Sequence, residues 1–371
     1  MGSSNGEDLG PDFEQKCFRS ALQFGICSGH LVKVNASYKL IFDGKSAGNK
    51  LPLSCDRVMC DSAGADAAAA GGHLDTLKWL HQQDIRCSSF AISLAVGSGQ
   101  LHVLKWLHEK KLRLIFPSGS CTRSIEEEKH ILANKAASGG HLETLKWLHQ
   151  QNISCNRNGA RDAAGAGHLE VLQWLFRQEI WCDAIGAWEA AVSGHLEVLQ
   201  WLFQQGIRCD AVAADFAATL GKLNVVQWLH QQGIRCSANG ARGAASKGHL
   251  EVLQWLFYKD IRCDVAADIA ATRGKINVVQ WLHQQGIRCS ARGATDAAGR
   301  GHLEVLQWLF HEDIRCDELG AFNAAASGHL EVLQWLFQQG IRCDADIADT
   351  AAWQGKLNVV QWLYQQGIRC S

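Results

Sequence analysis

The sequence predicts an all-α solenoid of about eleven helix-turn-helix repeats, each a short alanine-rich helix followed by a tryptophan-bearing one. Three observations predict it. A Trp-Leu dipeptide recurs from Trp79 to Trp362 with a step of 27 residues, broken by one step of 41 after Trp106 and one of 26 after Trp255. Glycines punctuate the chain about every dozen residues, too often for a long coiled coil. The apolar side chains of one Trp segment, Leu196, Val198, Leu199, Trp201, Leu202 and Phe203, cover an arc of roughly 220° on a helical wheel. A helix resting on one core needs only about 100°, so this one must be covered on two sides, as stacking requires.

In chain order, residues 1–60 match the unit poorly, although SGHLVKV from Ser28 to Val34 echoes it; they read as a divergent N-terminal cap. The repeat array then occupies 61–371. Its long step is a 14-residue insertion, read as a surface loop at about 114–130 that holds Pro117, Gly119 and the charged run Glu126 to Lys129 and leads into a longer helix. Its short step is a single deletion. Within a unit the alanine helix puts Ala214, Ala217 and Ala218 on one face, where small side chains let neighbouring helices come close. Gly194 and Gly221 end alanine helices and Gly206 ends a Trp helix, each where a left-handed residue is wanted. His195 and His302 follow such glycines and read as turn residues rather than catalysts. The last unit stops at Ser371, straight after its turn, so its Trp helix is expected to fray or to self-associate.

A formal net charge of -1, with 47% hydrophobic and 20% charged residues, describes a well-buried, soluble chain. That balance argues against work on nucleic acid or membrane surfaces, where a basic excess exchanges counterions with phosphates. No run approaches the roughly 18–20 apolar residues of a membrane span, and MGSSNGEDLGPDFEQK lacks the apolar core of a secretory signal. The expected location is cytoplasmic or nuclear, with the fifteen cysteines reduced. Ten of them, from Cys87 to Cys370, recur eight residues after the repeat Trp. Stacked about 10 Å apart, they exceed the roughly 7 Å reach of a disulfide and read as small buried turn residues.

The run GHLEVLQWL, from Gly194 to Leu202, followed by an Ile-x-Cys turn, resembles the second helix of an ankyrin repeat, where Gly-His-Leu-Glu-Val-Val leads into a Leu-Leu pair and a Gly-Ala-Asp turn. The resemblance covers eleven units in a short, Trp-containing form. Two departures stand out: the unit has 27 residues rather than about 33, and the Thr-Pro-Leu-His opening is missing. The shortfall lies between Gly206 and Gly221, where the family carries its β-hairpin finger, so the array is expected to lack long fingers.

Compared with one another, the units fall into three kinds that recur in blocks of three, the mark of growth by duplication. The positions that vary most lie just before the paired alanines: Arg161, Trp188, Asp215, Arg242, Asp268, Thr295, Phe322 and Asp349. Large aromatics in a row of charges have the chemistry of a partner-binding surface. In the competing reading Trp188 and Phe322 fill gaps between repeats. The resemblance implies the surface role, because in ankyrin repeats this helix lines the binding face. The expected function is a scaffold or adaptor for protein partners, not an enzyme, with no cofactor and no metal.

Two alternatives stay open. Arg86, Arg113, Arg208, Arg235, Arg262, Arg288, Arg315, Arg342 and Arg369 form a basic row that could meet phosphates. Asp210, Asp264, Asp317 and Asp344 interleave with it and cancel its field over a screening length of about 8 Å. At the N-terminus Cys17, Cys27, His30, Cys55 and Cys60 supply soft zinc ligands, though without paired C-x2-C knuckles.

Overall fold

The computed structural model describes residues 29–34, 37–42, 62–88, 90–110 and 125–370. The chain divides after Gly186 into two compact units, residues 1–186 and 187–371. Among the described residues 22 helices alternate in eleven pairs, an alanine helix and then a Trp helix, from Ser62–Ala70 with Leu74–Gln82 to Ala345–Trp353 with Leu357–Gln365. Each unit is thus a stack of helical repeats.

One repeat of the second unit shows why these residues fold as they do. The Asp210 carboxylate accepts hydrogen bonds from the Val212 and Ala213 N–H groups at 3.1 and 3.2 Å, which caps the helix Ala211–Thr219. Ala213, Ala214, Ala217 and Ala218 are buried on one side of it. The chain then turns at Gly221, whose φ of +75° is left-handed, and Lys222 N–H reaches back to the Ala217 carbonyl at 2.9 Å. The Trp helix Leu223–Gln231 buries Val225, Val226 and Leu229 and stops at Gly233, again left-handed. A buried Leu of this kind contributes about 1.5–3 kcal/mol through apolar area removed from water. Between Gly206 and the next helix the segment 207–210 holds no strand, in keeping with the missing finger.

Successive alanine helices pack directly on one another, much more closely than successive Trp helices do. The tryptophans are half-buried, which narrows the arc read from the helical wheel. Most join neighbouring repeats within a unit through their rings: Phe203 meets Trp228 edge-on at 4.8 Å, His230 meets Trp255 at 5.2 Å and Phe337 meets Trp362 at 5.5 Å. The ring two residues after one tryptophan therefore supports the tryptophan of the next repeat.

The thiol ladder is largely interior. Cys155, Cys182, Cys209, Cys236, Cys263, Cys289 and Cys316 are buried, Cys87 and Cys343 are half-buried, Cys370 is exposed, and all are free thiols. In some repeats the sulfur leaves no room for a Cβ four residues on and a glycine stands there, whereas after Cys209, Cys263 and Cys343 that position is Ala213, Ala267 and Ile347. A Cβ on Gly186 would lie 2.0 Å from Cys182 Sγ, and one on Gly293 would lie 2.5 Å from Cys289 Sγ.

Two expectations need correction. The N-terminal echo of the repeat is a strand: β1, Gly29–Val34, pairs antiparallel with β2, Ser37–Phe42, from Gly29↔Phe42 to Val34↔Ser37. Val32, Val34, Tyr38, Ile41 and Phe42 favour a pleated pair, and no Trp-Leu follows to make a helix amphipathic. These strands lie before residue 61, and the array itself is all-α as expected. The inserted segment, read as loop to about 130, is helical from Ile125, in the long helix Ile125–Ser138. Its remainder with Arg113, Pro117 and Gly119, the cysteines Cys17, Cys27, Cys55 and Cys60, and Ser371 lie outside the described residues.

Candidate partner-binding face

The variable residues before the paired alanines have an assignment inside the fold. Arg161, Asp215, Asp268 and Thr295 are each followed 22 residues later by the residue that caps the next alanine helix, and the two side chains clasp. The Asp215 carboxylate accepts from Ser237 N–H at 2.7 Å and from Ser237 Oγ at 2.6 Å. Asp268 does the same for Ser290, at 2.6 and 2.7 Å. Arg161 reverses the polarity: its Nε donates to Asp183 Oδ1 at 2.8 Å and a second guanidinium nitrogen to Asp183 Oδ2. Asn134 Nδ2 donates to Asn156 Oδ1 at 2.9 Å, and Thr295 Oγ1 to Asp317 Oδ1 at 3.4 Å. The pattern is electrostatic. An aspartate is met by a serine that offers an N–H and an O–H, whereas donors Arg161 and Thr295 are met by an aspartate and Asn134 by the Asn156 amide oxygen, so in these pairs no two carboxylates face each other. The Arg161 guanidinium holds the Asp183 carboxyl below its ordinary value.

Of the eight residues in this row, Thr295 is buried at 6% exposure, while Arg161, Asp215 and Asp268 are half-buried and clasped. Trp188 and Phe322 are half-buried, and Trp188 meets Phe216 edge-on at 5.6 Å. Asp349 is half-buried, and Arg242 is exposed.

The outward face of each alanine helix is set by three other columns. In the second unit Val212, Asn239, Val265, Arg292, Leu319 and Asp346 are all exposed, three residues before the clasp row. Leu220, Lys247, Arg273 and Arg300, five residues after it, are exposed too. The residue just past the row completes the stripe at helical spacing i, i+4, i+8. On Ala211–Thr219 and the residue after it, that stripe is Val212, Phe216 and Leu220, exposed by 51%, 47% and 43%. Sequence reasoning missed these columns by looking beside the paired alanines. The usable signal was position: Val212, Phe216 and Leu220 lie on the side of the helix away from the buried alanines.

Three of the turn arginines are neutralised. Arg86, Arg262 and Arg315 pair at 3.0, 3.0 and 3.3 Å with Asp84, Asp260 and Asp313, each two residues earlier in a left-handed turn position. Arg208, Arg262 and Arg315 also lie over the rings of Phe203, Phe257 and Phe310. Neutralisation of the paired arginines thus comes from aspartates before them, whereas Asp210, Asp317 and Asp344 serve as helix caps. The repeat histidines act in turns as read: His141 and His168 hold the carbonyls of Gly97 and Ser138 through Nε2 at 2.9 and 3.0 Å. Among the described residues no group of three or more His, Cys, Asp or Glu is placed to hold a metal ion, and no helix is long and apolar enough to cross a membrane.

The family model described as ankyrin repeats in many copies matches residues 134–176, 187–230, 243–283, 294–337 and 321–364. No curated protein matches the chain. Among solved structures, the human ASB11 ankyrin repeat domain is 19% identical, with 41% of this chain and 82% of that one covered and a TM-score of 0.36. The pentatricopeptide repeat protein PPR10 in complex with an 18-nt psaJ RNA element is 13% identical at a TM-score of 0.40, covering 83% of this chain and 54% of that one. PPR10 from maize is 14% identical at a TM-score of 0.35, with 82% and 53% covered. The chain spans about half the length of these pentatricopeptide structures. More than half of the sequence answers to one family description, and the chain belongs to the ankyrin-repeat family.

Proposed function

We propose that this chain is a scaffold that binds a protein partner through the outward face of its alanine helices. Ankyrin repeats mediate protein–protein interaction in general, and a modular array offers one scaffold with a different side chain in each repeat. The observation that carries the choice of face is the exposed apolar stripe Val212, Phe216 and Leu220, with Trp188 packed against Phe216. Aromatic and aliphatic side chains standing clear of a helix that already has its core cost solubility unless a partner covers them. Exposed Arg242 and half-buried Trp188 and Phe322 border this face and contribute to the contact. Arg161, Asp215, Asp268 and Thr295 act on it indirectly, by fixing the spacing of the helices. The partner is a protein segment with an apolar anchor for Phe216.

The test is capture of partners by the intact chain, by a Val212→Asp/Phe216→Asp variant, and by a Gln231→Ala variant at the exposed end of a Trp helix. Loss of a captured protein with the first variant and its retention with the second supports the reading. Retention of every captured protein by the double variant overturns it.

A further inference from the structure

A second feature of the same side is a run of cations where the alanine helices end. Lys247, Arg273 and Arg300 are the exposed residues just before Gly248, Gly274 and Gly301. Those glycines are left-handed, and each is overlain by a side chain of the next repeat. The Lys275 stem passes 2.9 Å from where a Cβ on Gly248 would stand; the His302 ring lies 2.6 Å from that point on Gly274, and the His329 ring 2.6 Å from it on Gly301. Lys222 lies over Gly194 in the same way, at 2.7 Å. Consecutive repeats therefore present Lys222, Lys247, Arg273, Lys275 and Arg300 along one edge.

None of these five cations makes an ion pair or hydrogen bond among the described residues. Glu251 and Glu304, exposed in the first turns of the following Trp helices, pair with none of them. The contrast is with Arg86, Arg262 and Arg315, which have aspartate partners. Two histidines register the field: burial first, and then Lys275, Lys222 and Lys247, push the His249 imidazole below its ordinary value, and Arg300 and Lys275 add to the same effect on His302. In a chain whose formal net charge is -1, this edge is a local concentration of uncompensated positive charge that begins beside Leu220.

We infer that the edge from Lys222 to Arg300 is a docking rail for an acidic, extended segment of the protein partner, taking one carboxylate per repeat. This rests on the proposal that the alanine-helix side binds a protein. The spacing agrees. Stacked helices lie about 8–10 Å apart and an extended chain advances about 3.3 Å per residue, so every third side chain of the segment meets a new repeat. Carboxylates suit the rail because each cation stands alone, and a charge-assisted hydrogen bond needs no second partner. The apolar stripe at Val212, Phe216 and Leu220 would take an anchor at one end of the same segment.

The experiment is fluorescence anisotropy with the full chain and a labelled peptide of about 12 residues, long enough at about 3.3 Å per residue to span the rail, with glutamate at every third position. The rail variant is Lys247→Gln/Arg273→Gln/Arg300→Gln. The control is Arg208→Gln/Arg235→Gln/Arg288→Gln, which removes the same formal charge from the other row. The peptide is expected to bind the intact chain and the control within about twofold, and the rail variant about tenfold more weakly, a loss near 1.4 kcal/mol. Equal weakening in both variants overturns the rail, as does tighter binding of a single-stranded oligonucleotide of equal charge, which would make the ligand a phosphate chain. If the peptide ignores the rail variant while partner capture still depends on Phe216, the rail fails and the protein-binding reading stands. If the peptide depends on the rail while capture ignores Phe216, the rail stands without the apolar anchor.

Discussion

The two helices of each repeat obey different rules. The Trp helices Leu196–Gln204 and Leu330–Gln338 have the same sequence, LEVLQWLFQ. Their alanine partners Ala184–Ser193 and Glu318–Ser327 read AIGAWEAAVS and ELGAFNAAAS. A Trp helix meets nearly the same demands from repeat to repeat: a buried, largely aliphatic face such as Val198, Leu199 and Leu202 or Val225, Val226 and Leu229, and a ring contact with the neighbouring repeat. An alanine helix is constrained only on its buried alanines and at the clasp to its successor. The rest of its surface is free to change from repeat to repeat, and that freedom is what a modular binding surface uses.

Substitutions can break this comparison, and the largest effect is expected in the Trp helix. Leu229→Ala, at a fully buried site, should cost about 2–5 kcal/mol in urea unfolding, whereas Phe216→Ala on the exposed stripe should change stability by less than about 0.5 kcal/mol. Similar losses at both sites would mean that the stripe is part of the core. Next in size is Gly293→Ala, whose new Cβ would sit 2.9 Å from the Asp268 Cα and 2.5 Å from Cys289 Sγ. It should destabilise by about 1–3 kcal/mol, although Ala normally outranks Gly in a helix. A neutral or stabilising result would show that the packing around the cysteine ladder yields easily.

The clasp is smaller. Arg161 and Asp183 keep 24% and 28% of their side-chain surface exposed, so Asp183→Asn should cost about 1 kcal/mol at pH 7. Folding lowers the Asp183 pKa. Its contribution is therefore present above the unfolded carboxylate value of about 3.9 and is lost as pH falls through the lower folded value. The gap between the two proteins should close in acid titrations below about pH 4; a gap constant to the acid limit would contradict the pairing. Chemical labelling sharpens the interior end of the contrast. Burial pushes the Cys209 and Cys316 thiols up to about 11. At pH 8 they should alkylate far more slowly than exposed Cys370, and comparable rates would show that the ladder opens readily.

Much of this was legible beforehand. The period, helix order, left-handed glycines and buried thiols all follow from local rules that repeat with the unit: helical periodicity, the need for positive φ after a helix, and residue size. The clasp partners were not legible in one unit, because Asp215 and Ser237 belong to different repeats and their match is a relation between neighbours. The exposed columns of the alanine helices were not read from the sequence either. Variation beside the paired alanines looked like exposure, yet Thr295 is buried and matched to Asp317, while Val212 and Phe216 stand exposed among the described residues. The strands at Gly29–Val34 and Ser37–Phe42 escaped because a six-residue likeness to the repeat outweighed their β-branched and aromatic content.

The central claim, that the variable alanine-helix face meets a protein while the constant Trp helices carry the fold, is tested most directly by site-specific photo-crosslinking. A benzophenone side chain placed at position 216 should give covalent adducts with a partner protein, and the same group at exposed Gln231, at the far end of a Trp helix, should give none. Adducts from position 231 with none from position 216 would contradict the account.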